Sequence, residues 1–159
     1  MTYLLEARST NRDVWVLIEF EGGPSPVPWL LPDGSDVYQL IPNGETERLG
    51  FVPRFVQSNR GTRLGDLVWT TGAAKIASRR FVDVLESIGA TGYRTFAVEV
   101  LDRDGQSLGD FVGLAVLDDD TSKDLHFSTG FQFWHFAATD RVVKALRESE
   151  VTELSIKPA

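Results

Sequence analysis

The chain has 159 residues, 42% hydrophobic and 25% charged, the composition of one folded globular domain rather than a disordered segment. Its 23 acidic and 16 basic side chains give a formal charge of −7, so charge alone carries it to neither nucleic acid nor an anionic membrane. The absence of cysteine excludes disulfides, thiolate metal sites and cysteine nucleophiles.

Two histidines, His126 and His135, rule out a three-histidine metal site. No apolar run approaches the roughly 18 residues of a membrane-spanning helix. The opening residues lack a basic-then-apolar leader. The simplest expectation is a cytoplasmic protein, residues 1–159 forming a single domain. Residues 1–65 read as a strand-rich N-terminal part and 66–159 as a part built on a repeat.

Residues 3–8 and 14–20 are apolar-rich, the second also β-branched and aromatic, and predict two strands, with Asn11-Arg12-Asp13 as a hairpin turn between them. Glycines and prolines at 22–28 exclude helix and central strand, so 21–35 reads as irregular surface chain. Val37–Ile41 predicts a short strand closed by Pro42-Asn43-Gly44. Residues 48–65 hold Arg48, Arg54, Arg60 and Arg63 and no acid. Asp66–Trp69 leads into the second half.

That half repeats. Residues 78–97 and 139–158 align without a gap at a shift of 61, placing Arg80 on Arg141, Val82 on Val143, Leu85 on Leu146 and Thr91 on Thr152. Ser78 and Thr139 fall where a hydroxyl caps a helix. Phe81, Val84, Leu85 and Ile88 form one helical stripe, and Val142, Ala145, Leu146 and Ser149 repeat it. Gly89 suits a left-handed cap. Residues 93–100 and 154–156 then alternate as strands. Asp110–Leu117 predicts another strand, and Phe131–Phe136 an aromatic one. The expected fold is α+β: a mixed, mostly antiparallel sheet, two helices, and a duplicated helix–strand unit in the C-terminal half.

No nucleophile elbow, phosphate-binding glycine loop or zinc-protease motif is present, so no catalytic residues, cofactor or metal site are expected. Asp118-Asp119-Asp120 with Asp124 lacks the central glycine and closing glutamate of a calcium loop. His135 reads as a half-buried structural residue and His126 as a surface one. Trp15 and Trp134 read as core, and Trp29, in its proline-rich segment, as an interface anchor. Residues 99–124 carry eight acids (Glu99, Asp102, Asp104, Asp110, Asp118, Asp119, Asp120 and Asp124) against Arg103 and Lys123. With Trp29, the seven aspartates are the expected partner-binding residues, whether in one patch or two. An acidic surface favours a basic protein partner.

Residues 66–69, 76–85 and 91–100 together resemble the bacterial immunity proteins of polymorphic toxin systems, in the immunity protein eleven or forty-three group. Ser78-Arg79-Arg80 matches the family's serine-x-arginine phrase at a helix start. Phe96-Ala97-Val98 sits at its strand end, with Ala97 where the family often has proline. Asp110–Val116 and Thr139–Pro158 resemble its next strand and its closing helix and strand, so the likeness covers residues 66–158. The resemblance implies a non-enzymatic cytoplasmic protein that neutralises a cognate toxin, which in many such systems is a basic nuclease domain. The alternative is a small enzyme or ligand-binding domain using His135 with a carboxylate.

Overall fold

The computed structural model describes residues 1–70, 72–128 and 134–159. In chain order these form β1 (Thr2–Glu6), β2 (Trp15–Phe20), β3 (Gly23–Pro24), α1 (Val37–Leu40), β4 (Arg54–Gln57), β5 (Leu67–Thr70), β6 (Lys75–Ser78) and α2 (Arg79–Ser87). They continue with β7 (Tyr93–Phe96), β8 (Glu99–Leu101), β9 (Phe111–Val116), β10 (Leu125–His126), β11 (Phe136–Thr139), α3 (Asp140–Glu148) and β12 (Ser155–Pro158). The fold is α+β, strand-rich and mostly antiparallel.

A larger sheet runs β7-β9-β6-β5-β2-β4-β8, with β3 flanking β2. All its pairs are antiparallel except β2·β5 and β4·β8. Its two end strands, β7 and β8, are separated in sequence only by Ala97 and Val98. The sheet therefore curls until its ends adjoin, as in an open barrel. Inside the curl lie Val16, Phe55, Val68, Ile76, Phe96, Val100 and Ala115, with Trp29, Val37, Leu40 and Ile41 closing one end. Gly113 is required there. A Cβ at this position would lie 2.1 Å from the buried Phe96 ring. Gly113→Ala is expected to destabilise the fold by roughly 1–3 kcal/mol, seen as a lower urea midpoint at unchanged slope.

The second sheet has the order β10-β11-β1-β12, all antiparallel. It packs with α2 and α3 over the outside of β5, β6 and β9. Leu67, Ala77, Val112 and Leu114 meet Phe81, Leu85, Val142, Leu146, Leu5 and Phe136 in this second core. Strand β9 is covered on both faces, which explains its unbroken apolar run.

Both long helices fall where the 3.6-residue stripe places them. Ser78 Oγ accepts the Phe81 amide at 3.2 Å and caps α2. Gly89, at φ 62°, terminates it, and Glu150 takes the same left-handed conformation after α3 at φ 58°.

Several expectations are corrected. Val37–Leu40 is a helical turn, because the Asp36 carboxylate accepts the Tyr38 amide and caps it against the strand preference of Val, Tyr and Ile. β1 and β2 are not a hairpin, since they belong to different sheets. The single strand expected over 93–100 breaks at Ala97-Val98 into the two end strands. Of the aromatic strand expected at 131–136, only Phe136 begins β11, and 131–133 lie outside the described residues.

Candidate functional site

Three aspartates are buried, and each binds an arginine. Asp13 accepts Arg63 Nε at 2.6 Å, together with the Thr10 amide and hydroxyl. Asp66 accepts Arg80 Nε at 2.7 Å and Nη2 at 2.9 Å, Ser78 Oγ at 2.6 Å and the Glu153 amide at 3.0 Å. Asp124 accepts Arg141 Nε and Nη2, both at 2.8 Å, Thr139 Oγ1 at 2.8 Å and the Thr91 amide at 3.0 Å. The serine-x-arginine phrase thus has a physical reason: the hydroxyl and guanidinium at a helix start converge on one buried carboxylate.

These donors govern the acidity. Arg63 holds Asp13 down to about 2 against the opposing effect of burial. Burial pushes Asp66 up, but Arg80, Ser78 and the Glu153 amide outweigh it and leave the carboxyl below its ordinary value. Arg141 lowers Asp124 furthest, again against burial, with Thr139 and Thr91 assisting.

The expected partner-binding residues therefore separate. Asp124, 7% exposed, is an internal clamp rather than a surface carboxylate. Asp102, Asp104 and Asp110 lie before β9, and Asp118, Asp119 and Asp120 follow it. The six residues of β9 span about 20 Å at 3.3 Å per residue, so the acids form two patches. In the first, Asp102 Oδ1 accepts the amides of Asp104 and Gln106 and shapes a turn, while Asp110 faces Arg79 at 3.5 Å. In the second, Asp118 to Asp120 are exposed. Asp118 and Asp120 accept the Asp120 and Ser122 amides and fix the turn. Among the described residues, none of these three is in an ion pair.

The basic stretch at 48–65 is largely neutralised: Arg48 pairs with Asp33, Arg54 with Glu99 and Arg63 with Asp13.

The tryptophans reverse the sequence reading. Trp29 is 5% exposed, with its ring stacked 5.4 Å from Phe51 inside the curled sheet, so it is core and not an interface anchor. Trp134 is 53% exposed rather than core. Trp15 belongs to neither core; its ring meets Trp69 at 5.3 Å, and its buried indole N–H has no acceptor among the described residues.

Trp15, Leu17 and Glu19 alternate onto the outer face of β2, opposite the buried Val16. Register carries this pattern across the sheet. Leu17, Val56 and Leu101 form one row, and Glu19, Arg54 and Glu99 the next. Among the described residues, neither helix nor the second sheet packs a core residue on these rows, and Leu17 is 39% exposed.

The two histidines lie in different surroundings. His126 is buried, not on the surface, with Nδ1 at 3.2 Å from the Lys123 carbonyl. His135 is half-buried, edge-on to Trp134 at 5.9 Å. The cavity beside Trp134 has a volume of about 10 Å³, room for one water, and its lining includes Lys75 but no carboxylate. Among the described residues, no cluster of three or more candidate ligands could hold a metal ion, and no helix is long and apolar enough to cross a membrane. No family model matches this chain, and no curated protein matches it.

Proposed function

We propose that this protein is an immunity-type inhibitor that binds and neutralises a basic toxin domain in the cytoplasm. The observation that carries the reading is a division of labour among carboxylates. Asp13, Asp66 and Asp124 are buried on arginines and hold the fold, whereas Asp118, Asp119 and Asp120 are exposed and, among the described residues, in no ion pair. Stability does not require three adjacent exposed charges. A field of this kind draws in a basic partner and orients it. The likeness of residues 66–158 to toxin-system immunity proteins points the same way. A nuclease toxin must carry a basic substrate face, which an acidic inhibitor can occupy.

Co-expression with the toxin domain encoded beside its gene tests this directly. Complex formation and rescued growth are expected, and absence of both rejects the reading. Replacing Asp118, Asp119 and Asp120 together by asparagine should slow association about tenfold at low salt and much less at 0.5 M, as surface plasmon resonance would report.

We also infer that the 61-residue repeat is a duplicated unit. Supporting it, Ser78 pairs with Phe111 and Thr139 with Thr2, while Arg94 pairs with Ala115 and Ser155 with Glu6. The same shift of 61 relates both sets. Strands β5-β6-β9-β7 correspond in order to β10-β11-β1-β12. In the second copy, the first strand of the chain takes the place that β9 holds in the first.

A further inference from the structure

We propose that the toxin docks on the open outer face of β2, β4 and β8, with Trp15, Leu17, Val56 and Leu101 at the centre of the contact and the row Glu19–Arg54–Glu99 at its rim. The inference rests on the reading of this protein as an inhibitor of a basic partner. It adds the surface, which the acidic stretch alone does not define.

The inner face of the larger sheet closes on one core, and the outer face of β5, β6 and β9 packs against helices and the second sheet. Across β2, β4 and β8 the alternation would place polar side chains outward on a sheet made for water. Instead it places a tryptophan and three aliphatic residues there, in register and outside both cores. The Trp15 indole N–H is buried and has no acceptor among the described residues. An apolar centre containing tryptophan and bordered by charge has the anatomy of a protein interface.

Charge selects the occupant. The row next to the apolar one carries Glu19 and Glu99 around Arg54, and β8 runs directly into the turn Asp102-Arg103-Asp104, so the border sets five charged side chains besides Arg54 around the apolar centre, four of them acidic. Arg54 is engaged with Glu99 at 3.1 Å, which leaves Glu19, Asp102 and Asp104 to meet cations. A partner with an apolar patch flanked by lysine or arginine fits this border. A second copy fits poorly, since a two-fold contact would bring acidic rims of a −7 chain together.

The test uses the full chain and a catalytically inactive form of the toxin domain encoded beside its gene. Calorimetry should find Leu17→Lys binding at least about 30-fold more weakly than wild type, with Tm shifted by only a few degrees, and Leu101→Lys behaving alike. Hydroxyl-radical footprinting of the unmodified protein covers the case in which either variant fails to fold: Trp15, Leu17 and Leu101 should become protected in the complex. Unchanged affinity in both variants and no protection at these side chains would overturn the docking face while leaving the inhibitor reading intact. A wild-type protein that neither binds nor rescues overturns both. Wild-type dimers that Leu17→Lys converts to monomers would assign the face to a second copy and overturn the proposal.

Discussion

Replacing Asp124 by alanine is expected to destabilise the protein by about 3 kcal/mol, because it removes a nearly buried acceptor on which several donors converge. At this chain length the melting temperature should fall by roughly 6–12 °C. The carboxylate is nearly buried, whereas the Arg141 side chain is half-exposed. The loss therefore falls mainly on the Thr91 amide and the Thr139 hydroxyl, which are left without their acceptor. Arg141 also donates to the carbonyls of Ile88 and Gly89, at 2.7 and 3.2 Å. The clamp thus ties the start of α3 to the end of α2. A double-mutant cycle with Arg141→Met should give a coupling above about 1 kcal/mol. The same clamps fix the acid limit of the fold. Asp13, Asp66 and Asp124 have folded values below their ordinary ones, so their stabilisation is complete above the unfolded value near 4. It is lost as pH falls from about 4 through 2, the folded value of Asp13. Unfolding free energy followed by urea titration should drop across that window, and less steeply in Asp124→Asn.

Lys75→Met should have an effect of similar size and opposite sign. Lys75 begins β6 almost fully buried, its ammonium donating to the Ala73 carbonyl at 3.2 Å. Desolvation lowers its proton affinity from 10.5 to about 8. The unfolded chain therefore binds the proton more tightly, and wild-type stability rises as pH increases from about 8 to 10.5. Methionine keeps the volume and removes the charge, so at pH 7 the variant should gain up to about 3 kcal/mol. Its stability curve should lack the alkaline rise. The fold accepts such a residue in a related place: Phe136 begins β11 as Lys75 begins β6, and it is buried. Equal urea midpoints for both proteins at pH 7 would show that the amine is not held charged at a cost.

What could be read from the sequence follows how local each signal is. Helices α2 and α3 carry their own stripe, cap and stop within about a dozen residues, and both stand where expected. Val37–Leu40 has strand propensity, but the Asp36 cap turns it into a helical turn. The acids were harder, because burial depends on partners distant in sequence. Asp124 and Asp118 are alike as letters, but only Asp124 has Arg141 and Thr91 folded over it. The tryptophans failed for a related reason. Trp29 sits in a proline-rich stretch that suggests surface, but that stretch closes the end of the curled sheet. Trp15 sits in an apolar strand that suggests core, but it falls on the outer side of the pleat. The parity of a strand reads directly; which parity meets solvent is decided by the curvature of a seven-strand path.

The placement of β1 between β11 and β12 bears on how the chain reaches this state. Residues 2–6 find their partners at 136–139 and 155–158, near the other end of the chain. On a ribosome, β1 emerges before both of its partners and waits until β11 and β12 have followed. Strand β9 has no such delay, since β6 and β7 precede it. The sheet containing β1 should therefore be the last to close, in a step slowed by the entropy of a loop spanning most of the protein. During that interval its exposed backbone is the part of the molecule most open to mispairing with a neighbouring chain.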